Sequence, residues 1–135
     1  MYTASCLCGE VSMTINGPIS DIIHCHCSLC RKSSGTAFAT NGFINTADLN
    51  IVKGQEFINF FEMKPGRKRH FCSRCASPLY SSNDADPTRL RLRLGVVDSN
   101  ISERPISHNF VTSKASWDSL DIDLPHYEKH EPSRR

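Results

Sequence analysis

Residues 6–15 read Cys6-Leu7-Cys8-Gly9-Glu10-Val11-Ser12-Met13-Thr14-Ile15. Two thiols one residue apart are followed by three apolar side chains, Val11, Met13 and Ile15, that alternate with the hydroxyls of Ser12 and Thr14. Period-two alternation is the mark of a strand with one face buried, and Asn16-Gly17-Pro18 then breaks it. The stretch predicts an N-terminal β-hairpin that turns at residues 6–9 and carries Cys6 and Cys8 there.

Working outward, residues 19–24 read as a second short strand. Residues 28–32 read as one helical turn, which the flexible Ser33-Ser34-Gly35 ends. Further strands are predicted over 37–44, 49–52, 57–61 and 68–71, separated by Asn45-Thr46, Gly54 and Pro65-Gly66. Residues 89–94 alternate strictly as Arg-Leu-Arg-Leu-Arg-Leu, so three arginines line one face of a strand and three leucines the other. Alternation alone asks for a polar outer face, and the arginine row is read as a solvated sheet surface in preference to its alternative, an anion-binding face. Short strands at regular spacing predict a mainly β domain with very little helix.

The chain has 135 residues, enough for one core and too few for two. One domain is expected over residues 1–125, followed by a polar tail over 126–135 that buries little surface. Sixteen basic against fourteen acidic residues leave a net charge of +2, which gives no reason to expect nucleic acid. No apolar run approaches the roughly 20 residues of a membrane span, and the first residues lack a basic flank or apolar stretch. A cytoplasmic protein without a membrane partner is expected; nothing in the sequence fixes its oligomeric state.

Seven cysteines are the outlying number, and an odd count argues against a disulfide framework. They fall into three groups: Cys6 and Cys8; Cys25, Cys27 and Cys30; Cys72 and Cys75. Zinc favours thiolates in a tetrahedral array, and two pairs with short spacers complete one closed site. Joining Cys6 and Cys8 to Cys72 and Cys75 would clamp the N-terminal hairpin to a segment more than sixty residues away; the plain alternative is four buried free thiols. Cys25-His26-Cys27-Ser28-Leu29-Cys30 offers three thiolates and leaves a fourth position open, the arrangement of a catalytic metal. Two alternatives stand beside it: closure by His24 or His26 as fourth ligand, and a redox pair of Cys27 and Cys30.

These motifs resemble the glutathione-dependent formaldehyde-activating enzyme (GFA) family, also described as the centromere protein V/GFA domain family. The resemblance runs from about Ser5 to Tyr127. It is carried by Ser5-Cys6-Leu7-Cys8-Gly9-Glu10-Val11, by Cys25 to Lys32 with Gly35 and Phe38, and by Phe71-Cys72-Ser73-Arg74-Cys75 with Leu79-Tyr80. Weaker matches are Gly95-Val96-Val97-Asp98, Pro105, His108, Ser116-Trp117 and Leu124-Pro125-His126-Tyr127. Ala76 stands where the family usually has glycine, at a turn where positive φ would suit alanine poorly.

The resemblance implies a β-rich zinc-binding fold shared with a small Rab exchange factor and with B-type methionine sulfoxide reductases. It implies two zinc ions per chain, a structural one on Cys6, Cys8, Cys72 and Cys75 and a second, open one on Cys25, Cys27 and Cys30. It also implies a carbon–sulfur lyase-type reaction in which glutathione, as co-substrate, adds reversibly to formaldehyde to give S-hydroxymethylglutathione. Among the histidines, His24 and His26 head the candidates for proton transfer, with His70 and His108 also eligible by residue type. Arg31 and Lys32, directly after Cys30, are the nearest cations in sequence for the carboxylates of glutathione. Phe38 and Trp117 are expected in the core. Two other readings use the same residues: a zinc-stabilised binding module without turnover, and a thiol-redox protein acting through Cys27 and Cys30.

Overall fold

The computed structural model describes residues 1–120, 123–130 and 132. Of the tail predicted over 126–135, residues 131 and 133–135 lie outside that set. Among the described residues there are ten strands and one α-helix. The predicted hairpin is present: β1 (Tyr2–Ser5) pairs antiparallel with β2 (Ser12–Ile15), and residues 6–11 form the loop between them. β5 (Leu49–Lys53) adds to β2 and completes a three-stranded sheet.

The larger sheet has seven strands. β3 (Ser20–Cys25), β4 (Ala39–Asn45), β6 (Ile58–Lys64), β7 (Arg67–Cys72), β8 (Pro78–Asn83), β9 (Arg89–Arg93) and β10 (Ser107–Asn109) lie in the order β10-β3-β4-β9-β8-β7-β6. Neighbours run antiparallel except β10, which joins β3 in parallel. β8 and β10 were not among the predicted strands. Beyond Leu79 and Tyr80, β8 carries Ser81, Ser82 and Asn83, so it shows no apolar alternation. β10 is three residues of Ser, His and Asn.

The core lies between the two sheets. Met13 and Ile15 from β2 meet Ile22, Ile44, Leu79, Leu90 and Leu92 from the larger sheet, all at 7% exposure or less. Burying each such side chain contributes about 1.5–3 kcal/mol. The leucine face of β9 is therefore the core face, as the alternation requires. Its arginine face is not the solvated surface expected from the sequence: Arg93 is 8% exposed and Arg91 half-buried, and only Arg89 is open to solvent. The reason is topological, because β9 is an interior strand whose second face lines a recess shared with residues of α1 and β10. Trp117, expected in the core, is 72% exposed.

α1 (Ser28–Ser34) begins at Cys27, whose sulfur accepts the Cys30 N–H, and ends at Gly35, at φ +70°, whose N–H donates to the Arg31 carbonyl. Two backbone positions with positive φ test the local account in opposite directions. Ala76 lies at φ 64°, and its N–H bonds the Cys72 carbonyl at 2.7 Å. Gly54 lies at φ +86°, and a Cβ there would meet the Glu10 carbonyl oxygen at 2.0 Å. Ala76→Gly is expected to stabilise the protein by about 1 kcal/mol by relieving left-handed strain, and Gly54→Ala to destabilise it by about 3 kcal/mol or more. Thermal unfolding of the two variants checks both signs.

Candidate metal centres and the cavity beside them

Cys6 follows β1 and Cys72 ends β7, and each opens a tight turn. The Cys6 N–H and Val11 carbonyl pair at 3.0 Å, and the Cys72 N–H and Ser77 carbonyl do likewise. The Leu7 N–H donates to Ser77 Oγ at 2.9 Å and fastens one turn to the other. The four sulfurs of Cys6, Cys8, Cys72 and Cys75 all lie within 4.8 Å of one another, with Cys6 and Cys8 at 3.6 Å and Cys8 and Cys72 at 3.9 Å. A tetrahedral ion with metal–sulfur bonds of ~2.3 Å sets its sulfurs about 3.8 Å apart. The donor set and its spacing therefore fit a closed metal site, and the four thiols are not merely dispersed in the core.

The electrostatics of this group points the same way. The Ser77 hydroxyl and nearby backbone N–H groups pull the Cys75 thiol down to about 5. The Glu10 N–H pulls Cys8 in the same direction, but burial and the three neighbouring sulfurs outweigh it and push Cys8 up to about 11. Four thiolates at this separation repel one another, and only a bound cation lets all four ionise together.

The second group is built from three different positions. Cys25 ends β3, Cys27 caps α1 and Cys30 lies in its first turn. Their sulfurs also lie within 4.8 Å of one another. The Cys30 N–H donates to Cys27 Sγ at 3.3 Å, so the cap that starts the helix also fixes the sulfur. Burial pushes the Cys25 thiol up to about 12, with Cys30 adding to the push. For Cys30 the upward pull of burial is overcome by Cys25, Cys27 and the Arg69 guanidinium, whose Nη2 stands 3.8 Å from its sulfur. All seven cysteines are free thiols.

The two groups differ in their surroundings. Cys25, Cys27 and Cys30 form part of the wall of a cavity of about 580 Å³, which also receives Asn41, Phe43, Ser81, Arg67, Arg69, Arg91 and Arg93. A second cavity of about 410 Å³ adjoins it, sharing Leu29, Met63, Arg69 and Arg93. None of Cys6, Cys8, Cys72 and Cys75 lines either. Three sulfurs at a cavity wall and four away from it are the arrangement in which one metal would be reached from the cavity and the other not.

The histidines singled out in the sequence stand apart from the cavity. Alternation along β3 sends Ile23 and Cys25 towards it and His24 to the other side, where His24 Nδ1 pairs with Thr40 Oγ1 at 2.8 Å. His26 is fully buried; its Nε2 lies 2.9 Å from His108 Nδ1, and its ring is 4.9 Å from that of Phe38. Burial, reinforced by His108, holds both His24 and His26 below the ordinary histidine value. His70 borders the smaller cavity, stacked on Tyr80 at 4.4 Å.

Arg31 and Lys32 are absent from the lining of the cysteine cavity. Helical geometry turns them away from it: Lys32 is exposed and borders the smaller cavity, and the half-buried Arg31 has no hydrogen-bond partner at Nε among the described residues. The arginines that do border it come from β7 and β9. The β9 pair was signalled in the sequence by the alternating Arg89-Arg91-Arg93, expected there to face solvent.

This mainly β domain carries two cysteine groups that could each hold a metal ion, one of them at a cavity wall. Residues 1–113 match the glutathione-dependent formaldehyde-activating enzyme family, and the chain belongs to that family. A Halomonas elongata protein named "Putative glutathione-dependent formaldehyde-activating enzyme" is 30% identical over 129 residues, covering 90% of this chain and 82% of the relative. A crystal structure of a Rhodobacter sphaeroides protein shares the fold, with a TM-score of 0.64 at 19% identity over 78% of this chain and 98% of that one. No helix among the described residues is long and apolar enough to cross a membrane.

The buried Arg93 supplies a test of the cavity wall. Its Nη1 donates to Asn41 Oδ1, and Asn41 is itself 6% exposed. Asn41→Leu is expected to cost about 2 kcal/mol in denaturant unfolding, because it strands a buried guanidinium without its acceptor.

Proposed function

We propose that the protein is a zinc-dependent carbon–sulfur lyase-type enzyme of the cytoplasm that adds glutathione reversibly to formaldehyde, giving S-hydroxymethylglutathione. The observation that carries this reading is the contrast between three sulfurs at a cavity wall and four sulfurs that line neither cavity. Seven free thiols also suit a reducing compartment.

Cys6, Cys8, Cys72 and Cys75 would hold a structural zinc, and Cys25, Cys27 and Cys30 a second one. Bound by three thiolates with one position open, zinc supplies Lewis acidity that favours the thiolate form of a thiol at neutral pH. The chain's own residues orient and desolvate the reactants. The cavity is large enough for a tripeptide thiol beside a one-carbon aldehyde, and holding them together removes much of the entropic cost of their encounter. In the reaction the sulfur forms a bond to the carbonyl carbon, the carbonyl π pair moves to oxygen, and the thiol's proton ends on that oxygen. Arg69 and Arg93 hold the Cys30 sulfur at the cavity wall. His24 and His26 are given a packing role, joining the end of β3 to Phe38 and His108.

Two measurements test this. Elemental analysis is expected to find two zinc ions per chain, falling to one in the Cys25→Ser, Cys27→Ser double variant with little change in thermal stability. Exchange NMR of glutathione and formaldehyde is expected to show saturable acceleration that Cys27→Ser lowers by at least about 100-fold, the upper end of what losing a group that merely supports a metal ligand costs. Thiol binding without acceleration would make the protein a binding module, and reversible oxidation of Cys27 with Cys30 a redox protein. Either result overturns the lyase reading.

A further inference from the structure

Four arginines meet in the cavity beside Cys25, Cys27 and Cys30: Arg67 and Arg69 from β7, Arg91 and Arg93 from β9. Strand register explains the convergence. Phe43, Arg91, Ser81 and Arg69 are direct neighbours across β4, β9, β8 and β7, and Arg67 lies two residues along β7 from Arg69, on the same side of the strand. Lys64 and Lys68 also border the cavity, and Asp21 is the one carboxylate among its described lining residues.

The arginines differ in what they face. Arg93 donates to Asn41 and faces Cys30, and Arg69 Nη2 approaches the same sulfur at 3.8 Å. These two are directed at the cysteine group. Arg89 is answered by Asp86 at 2.8 Å. Of the other cavity cations Lys64 is exposed and Lys68 Nζ lies over the Phe60 ring, which leaves Arg67 and Arg91: among the described residues neither makes an ion pair with a carboxylate. Both are half-buried, and burial together with the charges of Arg67 and Arg89 weighs against the charged form of Arg91. Like charges held close in a recess cost free energy that a bound anion offsets. The ring of Phe43 lies 5.0 Å from the Arg91 guanidinium, a cation–π contact that uses none of its N–H donors.

We propose that Arg67 and Arg91 recognise the carboxylates of the thiol substrate, so that the site selects a thiol bearing two carboxylates and directs its sulfur towards Cys25, Cys27 and Cys30. The inference rests on the reading of this cavity as the thiol site. It moves recognition from Arg31 and Lys32 to the arginine face of β9 and its neighbour on β7. Planar guanidinium groups suit paired contacts to carboxylate, and neutral or cationic thiols are left without a partner.

Titration calorimetry on the zinc-loaded protein tests it with thioether ligands, which leave the metal without a thiolate. The ligands are S-methylglutathione, its dimethyl ester, and methylthiosuccinate as a different dicarboxylate. S-methylglutathione is expected to bind about tenfold or more weakly to Arg91→Gln and to Arg67→Gln, about 1.4 kcal/mol, with Arg91→Lys recovering part of the loss. The ester is expected to bind all forms with one low affinity. On wild-type protein alone, affinity for the acid should fall as salt rises while that for the ester stays level.

The proposal is overturned if acid and ester bind wild-type protein equally, or if Arg91→Gln and Arg67→Gln bind the acid as tightly as wild type. The latter result, with S-methylglutathione still bound, keeps glutathione as ligand and removes the arginines. Arginine-dependent binding of methylthiosuccinate without binding of S-methylglutathione keeps the arginines and removes glutathione.

Discussion

Four cysteine sulfurs held within 4.8 Å of one another impose the constraint on which the rest of the structure depends. As thiolates they would repel one another, which makes a central cation the natural partner of the group. Cys6 and Cys8 lie in the loop between β1 and β2, and Cys72 and Cys75 at the turn between β7 and β8. The same contact therefore pins the small sheet against one end of the large one. Leu7 bonded to Ser77 and Ser73 bonded to the Phe57 carbonyl carry that clamp into neighbouring segments. With the sheets registered in this way, Met13 and Ile15 face Leu90 and Leu92, and the core closes between them.

Closing the core on one face of the large sheet leaves the other face for chemistry. Leu90 and Leu92 go inward, so Arg91 and Arg93 must point to the far side, where β3 delivers Cys25 and the first turn of α1 delivers Cys30. A short helix is well suited to that task. Its capping sulfur belongs to Cys27, so the bond that starts the helix also brings Cys27 towards its partners. The difference in surroundings between the two cysteine groups thus follows from location. One lies in turns at the junction of the sheets, while the other lies at the rim of a face that has no apolar partner to cover it.

Much of this is legible in the residues. Alternation marked β2 and β9 directly, Gly35 ended α1 where a left-handed residue was needed, and cysteine spacing paired distant turns before any coordinates. What was not legible has specific causes. A period of two separates the faces of a strand but does not say which faces water; β9 is interior to its sheet, so its arginines are recessed. β8 lacks apolar alternation because Ser81 faces the polar cavity and Ser82 pairs with His70. Arg31 and Lys32 are near Cys30 along the chain, but the helix turns them elsewhere, and residues some forty to sixty positions away take their place. His24 and His26 flank Cys25, yet strand alternation and burial against His108 and Phe38 set them apart from the cavity.

Two metal centres of different kinds, one closed by four sulfurs and one open with three, would give the bound zinc two different environments. X-ray absorption at the zinc edge of the zinc-loaded protein tests it most directly. The account predicts an average of roughly three and a half sulfurs per zinc, with a lighter atom making up the remainder, rising to four when glutathione is added. An average of four sulfurs before any thiol is added, or a light-atom contribution that glutathione leaves unchanged, would contradict it.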